Sequence, residues 1–227
     1  MTENKKRTAI GTGCAAGCLL ALFFVLILLL CTVDVRPIGA AGTEIGLAAW
    51  NGAVRDAIGF HRVLYIVTGV IGYFAFAAPA FFVGLGVYQL IRRRRFCLVD
   101  ADLYLLGGIY LVTGAAYVLF EKVVINYRPV LLGAEPEPSF PSSHMVLAVV
   151  LFGTAMVEIA HRVRVKWLMA VGESICGVLL LALVCGRLFS GVHWLTDILG
   201  GLLLGGALLL AFLSGTAALA ARPAVVA

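Results

Sequence analysis

The sequence predicts an all-α polytopic membrane protein, with six transmembrane helices and a short amphipathic outer helix between spans one and two. Three observations predict it. Charged residues fill only 13% of the 227 positions and the mean hydropathy is +1.05, whereas a water-soluble domain carries about 25% charge. Six apolar windows each approach or exceed the ~20 helical residues needed to cross a ~30 Å hydrocarbon core. Basic residues collect in alternate connections between those windows, as positive-inside sorting requires. One domain, residues 1–227, holds all six.

The first window, 10–33, follows the basic stretch Lys5-Lys6-Arg7. Its apolar run to Val33 is longer than a signal-peptide core, and no small-residue cleavage site precedes Val33-Asp34-Val35-Arg36-Pro37. It reads as a retained span. A long connection follows, in which Leu47, Trp50, Val54 and Ile58 share one helical stripe. That stripe suits a helix lying on the membrane surface or an ordinary packed loop helix. Arg36, Arg55 and Arg62 in the same connection need only solvent. The second window, 63–91, ends on the run Arg92 to Arg95. The third, 101–120, runs into Glu121-Lys122. The fourth, 142–160, is marginal by apolar content because it opens on Pro141-Ser142-Ser143-His144. The fifth and sixth, 167–189 and 198–219, flank the stretch Gly186 to Asp197.

The N-terminal basic cluster, Arg92 to Arg95, the trio Arg162, Arg164 and Lys166, and Arg222 in the tail hold most of the 17 Lys and Arg. With six spans all four segments lie on one side. Positive-inside sorting makes that side, and both termini, cytoplasmic. The net charge of +5 is then a topology signal, and no nucleic-acid partner is expected. The six cysteines are scattered without a C-x-x-C pair and behave as small hydrophobes. No metal cluster is apparent, and no cofactor is expected.

Three polar segments remain, at the outer ends of different spans: 121–129, 138–144 and 186–197. His193 and Asp197 are four residues apart at the start of span six, on one helix face. A carboxylate one turn away holds one imidazole nitrogen protonated and leaves the other free as base or nucleophile. Ser142 and Ser143 open a helix whose N-terminal N–H groups form an anion site. His144, in its first turn, can give or take a proton. Arg128 and Arg187 bring planar forks suited to phosphate oxygens. Taken singly, each group has an ordinary explanation as a cap, an interfacial hydrogen-bonder or an ion pair, and His61 and His161 are assigned to that class. Gathered on one face, they are too costly in a membrane to keep without a function.

These residues resemble the type-2 phosphatidic acid phosphatases, a superfamily that also contains soluble bacterial acid phosphatases and vanadium haloperoxidases. Its pattern is K-x6-R-P, then P-S-G-H, then S-R-x5-H-x3-D. Here Arg128-Pro129, Pro141 to His144, and Arg187-x5-His193-x3-Asp197 match it, within a core at 121–197. Three positions depart. Ser143 stands for the glycine and Gly186 for the serine. Glu121 stands seven residues before Arg128, where lysine is expected, and Lys122 is one residue late. One residue is about 100° on a helix, so either Lys122 reaches the phosphate or Glu121 occupies the site.

The resemblance implies a metal-independent lipid phosphate phosphatase. His193 would attack phosphorus, Asp197 would orient it, and His144 would protonate the leaving oxygen. Arg128, Arg187, Ser142, Ser143 and, in some arrangement, Lys122 would bind phosphate. Undecaprenyl diphosphate, phosphatidylglycerophosphate and phosphatidate are all eligible substrates, taken from a bacterial plasma membrane at its outer face. Lipid phosphotransfer is the alternative reaction. A non-catalytic lipid-phosphate binder or transporter is the alternative class, favoured by Glu121 and opposed by the presence of both histidines. An intramembrane metalloprotease lacks its H-E-x-x-H motif.

Overall fold

The computed structural model describes residues 2–221; Arg222, counted above, lies outside the described residues. Among the described residues there are eight α-helices: α1 (Thr2–Thr32), α2 (Ala48–Ile58), α3 (Arg62–Phe74), α4 (Ala77–Arg93), α5 (Ala101–Lys122), α6 (Ser143–Arg162), α7 (Lys166–Ser190) and α8 (Leu195–Ala220). Six stretches are long and apolar enough to span a membrane: α1, α3 with α4, α5, α6, α7 and α8. The expected fold class is what the chain adopts.

Span two bends between α3 and α4. Pro79 has no N–H to give to the carbonyl four residues back, and its ring crowds that carbonyl. The chain answers by tightening: Ala75 N, Phe76 N and Ala78 N each bond to the carbonyl three residues earlier, at 3.2–3.3 Å. The bend carries Gly69 and Gly72 past the start of α6, where His144 sits.

The fourth span, marginal by apolar content, is the centre of the bundle. Of its best window 61% is buried, against 6% for α7. Its polar opening is tolerated because it faces protein instead of lipid. α8 packs closely on it. A Cβ on Gly201 would meet Met145 Cβ at 2.5 Å and Ser142 O at 2.8 Å, and one on Gly205 would meet Val149 Cβ at 2.9 Å. Small residues let two backbones approach where lipid supplies no hydrophobic drive. α1 lies along α8, and Ser214 Oγ donates to Ala9 O at 2.7 Å, so the first turns of α1 and the last turns of α8 share one end of the bundle. Phe23 of α1 stacks on Phe140, with ring centroids 5.7 Å apart and planes within 15°.

An ionic net closes that same end. Arg162 reaches Asp100 at 3.0 Å, Asp102 at 2.8 Å and Glu158 at 2.7 Å. Arg93 and Gln89 reach Asp100, each at 2.7 Å. Partial burial raises the Asp100 carboxyl, but hydrogen bonds from Arg93, Gln89 and Arg162 outweigh it and hold the group down to about 2. The net ties α4, α5 and α6 together.

α2 forms as expected, but its buried face is Ala48 and Asn51, while Trp50 is 70% exposed. The apolar stripe does not decide how the helix docks; a hydrogen bond does. Asn51, fully buried, donates through Nδ2 to Gly46 O at 2.9 Å and to Thr196 Oγ1 at 3.0 Å, and its Oδ1 accepts Thr196 N–H at 3.2 Å. Leu47 lies outside the helix as a left-handed N-cap residue.

Candidate active site

Backbone bonds bring the three polar segments together at the other end of the bundle. Arg128 N donates to Glu137 O, and Ser139 N to Asn126 O, both at 2.9 Å, so the first two segments zip into a short antiparallel pair. Trp194, wholly buried, donates its Nε1–H to Tyr127 O at 2.6 Å, fastening the third segment to the first. Ser142 N donates to Asp197 O at 3.0 Å, fastening the second to the third. Gly191, at φ +69°, ends α7 in the left-handed region that lets the chain turn toward His193. Its missing Cβ also makes room for Gly59 O.

His193 and Asp197 face each other at 3.6 Å, Nδ1 to Oδ2. The aspartate is fully buried and held in place: Oδ2 accepts the Trp194 N–H at 2.9 Å, closing the first turn of α8, and Oδ1 faces Asn126 Nδ2 at 3.4 Å. On the other side of the ring, Arg128 Nη1 lies 3.3 Å from Nε2. Arginine only donates, so Nε2 is the acceptor and carries the lone pair, and Nδ1 carries the proton toward Asp197. Burial, then the charges of Arg128 and Arg187, push His193 well below its ordinary 6.5. Nε2 thus faces a cation, and burial and the arginine charges both disfavour the protonated ring.

A cavity of about 40 Å³ adjoins His193, lined also by Arg128, Ser139, Ser143, Tyr117 and Glu121 among others. Arg128 is steered from behind by Glu137, whose Oε2 accepts its Nε–H at 3.1 Å. A second cavity holds His144 with Gly69, Gly72 and Tyr73, and shares Tyr117, Ser143 and Leu147 with the first. The two histidines thus flank Ser143 and Tyr117. A Cβ at Gly72 would come within 3.0 Å of His144 Cδ2, so glycine there makes room for the ring. Arg187, 1% exposed, stacks its guanidinium 5.1 Å above the Tyr65 ring, and its Nε and Nη1 meet no protein acceptor. Its Nη2 would lie 3.7 Å from a Cβ at Gly69, which places it toward the His144 side. Ser142 is buried as N-cap of α6, and its Oγ has no protein partner.

Eight of the nine sequence candidates therefore lie in or directly behind these two cavities. Lys122 lines neither cavity. The reason is helical register. α5 stays helical through Lys122, and Thr113, Ala116, Tyr117, Phe120 and Glu121 form the face that lines the His193 cavity. Lys122 is a further ~100° round. Asn51, Asn126, Trp194 and Glu137 support the site and were not singled out in the sequence. Trp194 and Asn126 lie inside the matched segments, so proximity alone was a usable signal. Gly186 also has a local cause, since a Cβ there would collide with Thr68 Cγ2 of α3.

The sequence model of the PAP2 superfamily matches residues 76–219. No curated protein matches the chain. A similar solved structure is that of the first transmembrane PAP2 type phosphatidylglycerolphosphate phosphatase from Bacillus subtilis. It has a TM-score of 0.59 at 22% identity, covering 88% of this chain and 94% of that one.

Proposed function

This chain belongs to the PAP2 superfamily, and from that premise we propose that it is a metal-independent phosphatase of membrane lipid phosphates working through a phosphohistidine on His193. The substrate class is a phosphate monoester or diphosphate on a lipid such as undecaprenyl diphosphate, phosphatidylglycerophosphate or phosphatidate. One observation carries the reading. His193 presents Nε2 to a guanidinium at 3.3 Å, with buried Asp197 3.6 Å from its other nitrogen. An oxyanion bound to Arg128 is thereby delivered to the nucleophile.

In the first step the Nε2 lone pair attacks phosphorus as Arg128 turns from nitrogen to phosphate oxygen. Asp197 stabilises the charge that develops on the ring. Arg187, the Ser142 hydroxyl and the Ser143 N–H add donors for the equatorial oxygens. His144, across Ser143 and Tyr117 from His193, protonates the departing lipid oxygen. Displacement at phosphorus runs in line, so nucleophile and acid belong on opposite sides of the phosphate. Water, activated by His144, then attacks phosphorus and frees His193. The cavity faces the outer side of a bacterial plasma membrane, with both termini cytoplasmic; the basic connections support this orientation.

The test is phosphate release from a lipid-phosphate panel by purified protein, beside His193→Ala. The variant should fold and release nothing. Vanadate should inhibit, and a chelator should not. Loss of activity in chelator, or an active His193→Ala protein, ends the scheme.

A further inference from the structure

The end of the bundle far from His193 holds a second set of groups with a chemistry of its own. Asp102 at the start of α5 and Glu158 and His161 at the end of α6 each offer one carboxylate oxygen or ring nitrogen, and the three atoms lie within 4.8 Å of one another. Glu158 and His161 stand three residues apart on one helix face, the Glu-x-x-His spacing by which helical bundles hold metal ions. Asp102 joins them only through the packing of α5 on α6. Glu158 is fully buried; its Oε2 accepts from Arg162 at 2.7 Å, and its Oε1 has no partner among the described residues. Such an oxygen is costly unless a proton or a cation meets it.

The surrounding charges favour the cation. Arg93 and Arg162 meet Asp100, Asp102 and Glu158 in one net, two positive groups against three negative, and among the described residues no other Lys or Arg pairs with them. Arg162 holds one oxygen of each candidate ligand, Asp102 Oδ2 at 2.8 Å and Glu158 Oε2 at 2.7 Å, and so fixes where the other oxygens point. Ligating carboxylates are hydrogen-bonded from behind in this way. Asp102 Oδ1 accepts the Leu103 N–H at 2.9 Å and keeps a further lone pair. His161 is exposed, which gives an ion a way in from water and leaves the ring free to swing. Atoms bound to one Zn²⁺ at ~2.1 Å stand about 3.4 Å apart, so the swing has to close the trio by up to about 1.4 Å.

We propose that Asp102, Glu158 and His161 form a structural site for a divalent first-row transition metal ion of the Zn²⁺ type. An imidazole with two carboxylates suits such an ion, whereas Mg²⁺ and Ca²⁺ prefer shells of oxygen alone. Water completes the coordination on the exposed His161 side. The ion joins the start of α5 to the end of α6, the two helices whose opposite ends carry Tyr117, Glu121, Ser143 and His144. It takes no part in phosphate chemistry, because His161 lies about 25 Å along α6 from His144. The site stands independently of the function given above.

The experiment is equilibrium dialysis of the tag-free, chelator-treated full chain in detergent against Zn²⁺, with Mg²⁺ as the comparison, beside His161→Ala, Glu158→Gln and His193→Ala. The wild type should bind one Zn²⁺ per chain, about a hundredfold or more tighter than Mg²⁺. His161→Ala removes only an exposed ring and should weaken Zn²⁺ binding at least about tenfold, the loss that even a supporting residue of a metal site gives. Glu158→Gln should do the same. His193→Ala should bind as the wild type does. Zn²⁺ at about a hundredfold excess over its Kd should raise the wild-type Tm by roughly 5–10 °C, and the same concentration should raise that of His161→Ala by less. No saturable Zn²⁺ binding, or binding equally tight in His161→Ala, overturns the proposal. Binding that disappears in His193→Ala also overturns it, because the ion then sits at the other end of the bundle. The phosphatase reading is tested separately, by phosphate release, and survives any of these results.

Discussion

Replacing Asn51 by Ala should damage a site that Asn51 does not line. The side chain is fully buried and bridges α2 to the first turn of α8. Truncation strands two backbone groups that have no water to turn to, the Gly46 carbonyl and the Thr196 N–H. The second is one of the four N-terminal donors that a helix cannot satisfy internally. An orphaned buried polar group costs about 1–3 kcal/mol, so the expected loss for the two is about 2–6 kcal/mol. For a chain of this size each kcal/mol moves Tm by about 2–4 °C, which gives a fall of roughly 4–24 °C. Thr196 adjoins Asp197, so the orientation of the His193–Asp197 pair loosens too. We expect kcat to fall at least tenfold with KM changed less, because the imidazole is misaligned while Arg128 and Arg187 still bind phosphate. Trp50→Ala is the control: one residue away and 70% exposed, it should leave Tm nearly unchanged in the same detergent. Thermal unfolding and lipid-phosphate turnover on the three proteins decide the matter. An Asn51→Ala protein with wild-type Tm and kcat would show that the bridge between α2 and α8 does not position the site.

Gly186→Ser, which restores the superfamily residue, should destabilise the protein by about 1–3 kcal/mol through overpacking, because Thr68 is pinned by its Oγ1 bond to Leu64 O at 2.6 Å. Thr68→Ala in the same chain should recover most of the loss in a melting experiment, and failure to do so would refute the collision. Burial and the two arginines hold His193 below 6.5, so its neutral form persists as pH falls through 6.5. The acid limb of kcat/KM that belongs to His193, measured with a substrate that does not ionise in this range, should lie below that value; a limb at or above 6.5 contradicts the assignment. Asp100 titrates at about 2 in the fold and near 3.8 when unfolded. Its stabilising contribution is present above about 4 and is lost as pH falls from there toward about 2. Asp100→Asn should lower Tm at neutral pH and flatten its decline in acid, and an unchanged acid profile would remove Asp100 from the net.

Much of this was legible along the chain. Periodic apolar runs and the placement of arginines specify six spans, because a membrane imposes length and charge rules that act locally. The spacing of Arg187, His193 and Asp197 is equally local, since one helix turn and one loop set it. The bend in span two was not foreseen, although its cause, Pro79, is a local feature of the chain. Other features came from contacts between segments that share no local pattern. Asn51 and Thr196 are 145 residues apart, and only the packing of α2 on α8 makes them partners. The most buried span, α6, is no more apolar than α5, because burial depends on a helix's neighbours as well as on its own composition. Whether Glu121 or Lys122 faces the histidine turned on α5 remaining helical to its last residue, a matter of a single ~100° step. The sequence by itself determined that this chain crosses a membrane six times and carries the phosphatase-type residues. The tertiary structure decided which of those residues meet, and in what charge balance, because backbone bonds among three distant loops set the distances at which imidazole, guanidinium and carboxylate act on one another.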